Sequence, residues 1–426
     1  MSENSAAGTG KNIVIFSDGT GQEGGKKHNT NVYKLFNMIE NRTNAQIAFY
    51  DRGLGTGIRK ITGNALGAGF DKNVLDCYQF ISDNYQWGDR LFLFGFSRGA
   101  ATVRSLSGFI SLFGILPQSR PELAQKAYKD IYSISDPDER KEAARTFIER
   151  NNTTFCNIDF LGVWDTVAAL GVPVKAVNAF FDKIPYFKNS FHDFKLSARV
   201  QHAYHAMSID EERDAFELLP WQTMKNGQSI LGNVMTDPRD GDTSAQKGRD
   251  RKQTVKQVWF SGVHTDVGGG YKQSGVSDIP LCWMLDRATD DKVLAHPLRL
   301  YPFNWVTLNQ NVEEVIHDSR MTRTDKFLFN QVSREIFWDD DKHGKPIIHA
   351  SVLERIGQKC PIQIGKPDDP NDDVPVASKR YTPWVQEIIN SGKCEIEPWD
   401  NKGYESLQYG INVELDYLKD YDQHSG

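Results

Sequence analysis

The chain has 426 residues, 39% of them hydrophobic, 25% charged and 11% aromatic, and a formal net charge of −6. This is the composition of an ordinary globular protein, and the acidic balance leaves no electrostatic footprint for nucleic acid. Five scattered cysteines, Cys77, Cys156, Cys282, Cys360 and Cys394, form no C-x-x-C pair, which argues against a disulfide framework and a zinc site and points to a reducing compartment.

Met1 to Asn12 is polar and small, with no apolar core of a signal peptide, and residues 1–10 read as a flexible N-terminus. No run reaches the length of a membrane span. A cytoplasmic location is therefore expected, with any export following a signal-independent route.

Asn12–Phe16 is a β-branched apolar run and predicts a buried strand. It ends in Ser17-Asp18-Gly19-Thr20-Gly21, where two readings compete: backbone amides of Gly19 and Thr20 that serve an oxyanion, or a plain structural turn. A haloacid-dehalogenase-like reading of this loop fails, because its nucleophilic Asp would fall on Phe16. Thr30 or Asn31 then caps a helix with Val32, Leu35, Phe36 and Ile39 on one face. Gln46–Tyr50 is the next strand, leading to Asp51–Gly57, whose G-x-G-x-G spacing is not that of a dinucleotide fingerprint. Asn73–Tyr85 is helical, with Val74, Cys77, Tyr78 and Ile81 on one face.

Arg90–Arg104 organises the chain. The apolar run Leu91–Phe94 feeds Gly95-Phe96-Ser97-Arg98-Gly99, and Ala100 and Ala101 open a helix. Strand, sharp turn and helix around G-x-S-x-G make a nucleophile elbow, with Ser97 as nucleophile and the Arg98 amide at a helix N-terminus as oxyanion donor. The alternative is a Gly-rich turn whose Ser merely caps the helix. Strands alternating with helices to this point predict a parallel sheet.

Residues 121–150 read as a charged helical surface segment. Ile158–Trp164 is a further strand, and Asp165 follows its carboxyl end, where a triad acid or a turn cap would stand. Val167–Phe191 is apolar and aromatic, broken by Pro173 and Pro185, and is either a lid or simple packing. Leu196–Met207 is read as a helix carrying structural His202 and His205. Val255–Phe260 is a strand ending in Ser261–Gly270, which holds His264 before a glycine-rich turn. His264 is a general base or a structural histidine; a metal pair with Asp266 lacks a third ligand. Leu281–Ala288, Val306–Val315 and Val352–Ile356 have helical spacing, and residues 365–375 form a linker. His317, His343 and His349 are rival bases, and Asp266 is a rival acid.

Ser97, Asp165 and His264 occur in the order Ser, acid, His, each just past a predicted parallel strand, as in α/β-hydrolases. The fold class is therefore α/β, an α/β-hydrolase-like, mostly parallel sheet with helices on both faces, lid or cap insertions, and a helical C-terminal extension. The catalytic domain is expected at 11–295, with insertions at about 118–155 and 168–250, and the extension at 296–426 packed on the core. No cofactor or metal is called for.

Phe16–Thr20, Gly95–Ala101, Gly162–Val167 and Gly262–Tyr271 together resemble one family. It is an uncharacterised α/β-hydrolase domain family that includes the phospholipase effectors of bacterial type VI secretion (the Tle1 group). The resemblance implies Ser97 as nucleophile, Asp165 as acid, His264 as base, and hydrolysis of lipid esters. The family's first motif commonly continues with Trp and Asn, where this chain has Gly21 and Gln22. The expected partner is a lipid or acyl-ester substrate, with transient membrane-surface contact; protein partners stay unassigned. A carboxylesterase or thioesterase on a soluble substrate, and a silent interaction domain on a hydrolase scaffold, are the alternatives.

Overall fold

The computed structural model describes residues 10–19, 24–25, 28–41, 43–53, 63–167, 196–225, 228–232, 252–301, 306–321, 330–334, 343–366 and 373–399. In chain order the strands are β1 (Asn12–Ser17), β2 (Gln46–Asp51), β3 (Arg90–Phe96), β4 (Ile158–Trp164), β5 (Val200–Ser208), β6 (Met224–Lys225) and β7 (Gln228–Ser229). They continue as β8 (Thr254–Phe260), β9 (Ile347–His349), β10 (Lys359–Gln363), β11 (Val376–Arg380) and β12 (Glu395–Glu397). Eight of them form one sheet in the order β12-β9-β8-β5-β4-β3-β1-β2, and every neighbouring pair is parallel. The pairs β6–β7 and β10–β11 make two small antiparallel ribbons. This is an α/β-hydrolase-like fold.

The strand sequences decide which helix covers which face. Ile13, Ile15, Leu91, Leu93, Leu161 and Val163 point to one side, against α2 (Gly63–Asn84), α3 (Arg98–Phe113) and the helix Pro137–Asn151. Val14, Phe16, Phe92, Phe94, Phe96 and Phe160 point to the other, against α1 (Asn31–Met38) and the helix Gly275–Thr289. Burial on both faces explains why these strands read as unbroken apolar runs. Each fully buried Phe contributes about 1.5–3 kcal/mol of transfer free energy. Thr30 caps α1 by accepting the Tyr33 N–H at 3.1 Å.

β1 is flanked by β2 and β3, and the crossovers that leave β1 and β3 run over opposite faces, α1 on one and α3 on the other. That is a topological switch point, where the loops at the carboxyl ends part and leave room for a ligand.

Two stretches differ from expectation. Residues 200–208 form strand β5, between β4 and β8, not part of a helix at 196–207, and they lie inside the span read as an insertion. Val200, Ala203, Tyr204 and His205 are all buried, so both faces are covered and the residues show no period of two. The region beyond 296 is not simply helical: it contains the helices Ala350–Arg355 and Gln386–Asn390 but also gives β9 and β12 to the sheet. β8 would otherwise expose its ladder, and Glu397 of β12 binds Lys256, Arg287 and the Trp283 indole to hold the edge. Residues 306–315 are not helical. The stretch 168–191, read as lid or packing, lies outside the described residues, as does most of the glycine loop at 51–57.

Candidate active site

Ser97 sits between β3 and α3 at φ 57° and ψ −122°, a conformation that a side-chain-bearing residue adopts only under constraint. Its neighbours supply that constraint. A Cβ on Gly95 would lie 2.5 Å from the Gly99 carbonyl oxygen, and one on Gly99 would lie 2.0 Å from the Ser17 carbonyl oxygen. The turn can therefore close only with glycine on both sides, and it brings the start of α3 against the loop after β1. The Ser97 N–H donates to the Trp164 carbonyl at 3.1 Å, tying the elbow to β4. Arg98 is the first residue of α3, where the backbone amide has no acceptor within the helix.

His264 opens the short helix His264–Gly268 after β8. Its Nε2 lies 2.8 Å from Ser97 Oγ and its Nδ1 lies 2.5 Å from Asp165 Oδ2. With Nδ1 donating to the carboxylate, Nε2 is free to accept the Ser97 hydroxyl. The ring is held between Phe96 and Phe216, at 4.6 and 4.9 Å between centroids. Burial in this apolar slot lowers the imidazole pKa, opposed by the Asp165 hydrogen bond and charge. The His264 N–H donates to Glu211 Oε2 at 3.2 Å, and Arg213 holds Glu211 through a forked ion pair at 2.8 and 2.9 Å.

Asp165 is fully buried just past β4, at φ 39°, with its N–H on the Ala206 carbonyl at 2.7 Å. Oδ1 accepts the Ser208 N–H at 2.8 Å and Arg334 Nη1 at 2.5 Å; Oδ2 accepts His264 and Arg334 Nη2, the latter at 2.9 Å. Burial pushes this carboxyl up, but the Arg334 guanidinium and the His264 hydrogen bond outweigh it and hold it well below the usual carboxylate range. Asp165 is thus held as an ionised acceptor facing His264 Nδ1.

The structure brings Ser97, His264 and Asp165 into one line of hydrogen bonds. Gly19 lies beside them: a Cβ built on it would be 3.4 Å from Ser97 Cβ. Its amide donates to Asp18 Oδ1 at 2.7 Å. Asp18 is buried, and burial, partly offset by bonds from Thr30 and Tyr50, pushes its carboxyl up to about 6. Thr20 lies outside the described residues.

The rivals stand elsewhere. Asp266 and His317 pair with each other at 2.6 Å. His349 caps the helix Ala350–Arg355 and stacks on Phe260, while His343 lines a cavity with Met207 and Trp259. His205 accepts the Thr166 N–H at 3.1 Å through Nε2. Among the described residues no group of three or more His, Cys, Asp or Glu could hold a metal ion. The residues the sequence did not single out are Ser208 at the end of β5, Glu211 in the loop after it, and Arg334 beyond residue 300. No motif marks them.

Residues 11–287 match the family model described as the T6SS phospholipase effector Tle1-like catalytic domain. A protein of Saccharomyces cerevisiae, "Uncharacterized protein YEL023C", is 28% identical over 250 residues, covering 53% of this chain and 34% of the relative. A solved uncharacterized protein from Pseudomonas aeruginosa is 18% identical with a TM-score of 0.39, covering 71% of this chain and 48% of its own. The Tle1 effector bound to the VgrG spike of the type 6 secretion system is 16% identical with a TM-score of 0.31, covering 63% and 52%. The chain thus spans about a third of the length of the yeast relative and about half of these solved chains. No helix among the described residues is long and apolar enough to cross a membrane.

Proposed function

Given that the chain belongs to the T6SS Tle1-like phospholipase effector catalytic domain family, we propose that it hydrolyses carboxylic ester bonds of lipids with Ser97, His264 and Asp165. The observation that carries this reading is the unbroken bond path from Ser97 Oγ through His264 to Asp165, at 2.8 and 2.5 Å. Ser97 Oγ attacks the ester carbonyl while its proton passes to His264 Nε2. Asp165 stabilises the imidazolium that forms. The Arg98 amide, at the start of a helix of 16 residues, faces the developing oxyanion with the helix dipole behind it. The Gly19 amide is the second donor, once it turns from Asp18 Oδ1. Collapse returns the proton from Nε2 to the leaving alcohol and leaves an acyl-Ser97 ester. Water then attacks this ester with His264 as base, releasing the fatty acid and restoring the serine.

One observation bears on the substrate. Arg98 follows the nucleophile, burial lowers its guanidinium to about 10, and it has no ion pair among the described residues. A phosphodiester beside the scissile ester would supply that counter-charge, which favours a phospholipid over a neutral ester. The test is a lipid panel with the wild type beside Ser97→Ala, products identified by mass. Turnover of phospholipid vesicles that vanishes in Ser97→Ala supports the reading. Turnover of soluble short acyl esters alone would make the protein a carboxylesterase or thioesterase. No turnover of any ester would leave an interaction domain.

A further inference from the structure

The acid of the site is held by a residue far along the chain. Arg334 is 8% exposed and spends its guanidinium on Asp165, with Nη1 also on the Ser208 carbonyl and hydroxyl at 3.1 and 2.7 Å and Nη2 on the Phe216 carbonyl at 2.8 Å. The stretch that carries it is laced to the loop after β5: Asp214 N–H donates to the Asn330 carbonyl and Val332 N–H to the Glu212 carbonyl, at 3.2 and 2.8 Å. The next residue back, Glu211, accepts the His264 N–H. Residues 330–334 also lie beyond the family match at 11–287.

We propose that Arg334 is a positioning residue for the hydrolytic reaction: its planar fork fixes the Asp165 carboxylate against His264, and its charge sets the basicity of that histidine. This deepens the triad reading and rests on it for its catalytic meaning. The physical argument is one of charge balance in a dry site. An ionised Asp165 with no exposure needs a cation or several donors to remain charged. Histidine alone would supply that cation by taking a proton, which would remove the general base. Arg334 supplies a permanent one, so Asp165 stays ionised while His264 stays neutral. The fork also leaves the carboxylate plane no freedom to turn away from Nδ1, because both oxygens are bound at once.

The other charged groups around His264 are Glu211 and Arg213, which pair with each other, and Asp266, which is bound to His317. Arg213 and Glu211 act on the imidazole in opposite directions. Arg98, beside Ser97, is a further cation, and no substitution at 334 alters it or these pairs. Removing Arg334 therefore takes away the cation bound to Asp165 itself, and the imidazole that shares that carboxylate becomes more basic.

The experiment is a ring-carbon NMR titration of the full chain, with the His264 signal assigned by its loss in His264→Asn. Arg334→Gln, which keeps hydrogen bonding without charge, is expected to raise the His264 midpoint by about one pH unit, and so to cut the neutral fraction about tenfold below that midpoint. The acid limb of ester turnover should move up with it. Arg334→Lys, which keeps the charge without the fork, should leave the midpoint within a few tenths of a unit while kcat falls. An unmoved midpoint in Arg334→Gln, or an equal shift in Arg334→Lys, overturns the proposal. If Arg334→Gln does not fold, the Lys variant decides: a midpoint shifted upward there overturns it, and one close to wild type supports it. A wild type that turns over no ester would defeat the hydrolase reading, while the titration would still test the role of Arg334 in setting His264.

Discussion

Asp266 and His317 bind each other, not the nucleophile: Asp266 Oδ1 lies 2.6 Å from His317 Nδ1, with both side chains 1% exposed. Asp266 Oδ2 also takes the backbone N–H groups of Val263 and His317, at 3.1 and 3.0 Å, and Tyr271 stacks on the imidazole at 3.7 Å. The pair fastens the turn after β8 to the chain beyond residue 300. It is built like the acid–base half of a triad, but its place is structural.

His317→Asn and His264→Asn should therefore separate. Loss of the His317 partner leaves a buried carboxylate underserved and should destabilise the fold by about 1–3 kcal/mol. Each folded molecule should still react at Ser97 at close to the wild-type rate. His264→Asn should abolish that reaction with a smaller change in unfolding free energy. Urea titrations beside rates of covalent labelling measure both quantities.

Gly99→Ala tests the elbow. At an unconstrained helical site this change gains about 0.5–1 kcal/mol from helix propensity. Here the new methyl carbon would meet the Ser17 carbonyl oxygen at 2.0 Å, a backbone atom that cannot step aside without moving β1. Overpacking of this kind costs about 1–3 kcal/mol, so destabilisation should win. A variant as stable and as reactive as wild type would show that the contact is not as drawn.

Stability against pH should show a shoulder and then a fall. His205 and His349 are lowered to about 3 by burial, so below about 6.5 the unfolded chain binds their protons and the folded one does not. Each costs up to about 1.4 kcal/mol per pH unit as pH falls. Asp18 and Asp210 are raised to about 6 by burial, so between about 6 and 4 the folded state binds their protons first, an opposite contribution of similar size. The two pairs oppose each other there, with Asp51, also raised by burial, on the side of the aspartates and His264, lowered by burial, on that of the histidines. Below about 4 the Asp contribution is exhausted, and Asp165 and Glu211, the latter lowered to about 2 by Arg213 against burial, join the histidines in destabilising the fold. Asp18→Asn removes one of these offsets, so its stability should begin to drop near pH 6. Unfolding free energies measured from pH 7 to 3 check this; a smooth decline in both proteins would contradict it.

Arg98→Met should lower hydrolysis of an anionic phospholipid about tenfold or more, the worth of a charge-assisted hydrogen bond, with little change for a neutral short ester. Equal losses on both substrates would assign Arg98 no role in recognising phosphate.

The sheet was legible wherever burial on both faces leaves an apolar run. Asn12–Phe16, Ile158–Trp164 and Val255–Phe260 all become strands near their expected bounds. Ser97, Asp165 and His264 were legible because each stands just past such a run, at a turn that needs small residues. β5 was not, because His202, Tyr204 and His205 interrupt its apolar residues, and the groups that Tyr204 and His205 pack against come from distant segments. Arg334 was illegible for a related reason. Its role depends on Asp165 lying 169 positions away in sequence, and one arginine among 50 basic residues carries no local mark. β9 and β12 are only three residues each, too short to show any period.

The most direct test of the central claim is reaction of the intact chain with a fluorophosphonate probe, followed by peptide mapping. One adduct is expected, on the peptide containing Ser97, absent in Ser97→Ala and His264→Asn and slowed as pH falls and His264 takes a proton. A folded wild-type protein that forms no adduct, or forms it equally in Ser97→Ala, would contradict the assignment of Ser97 as the nucleophile.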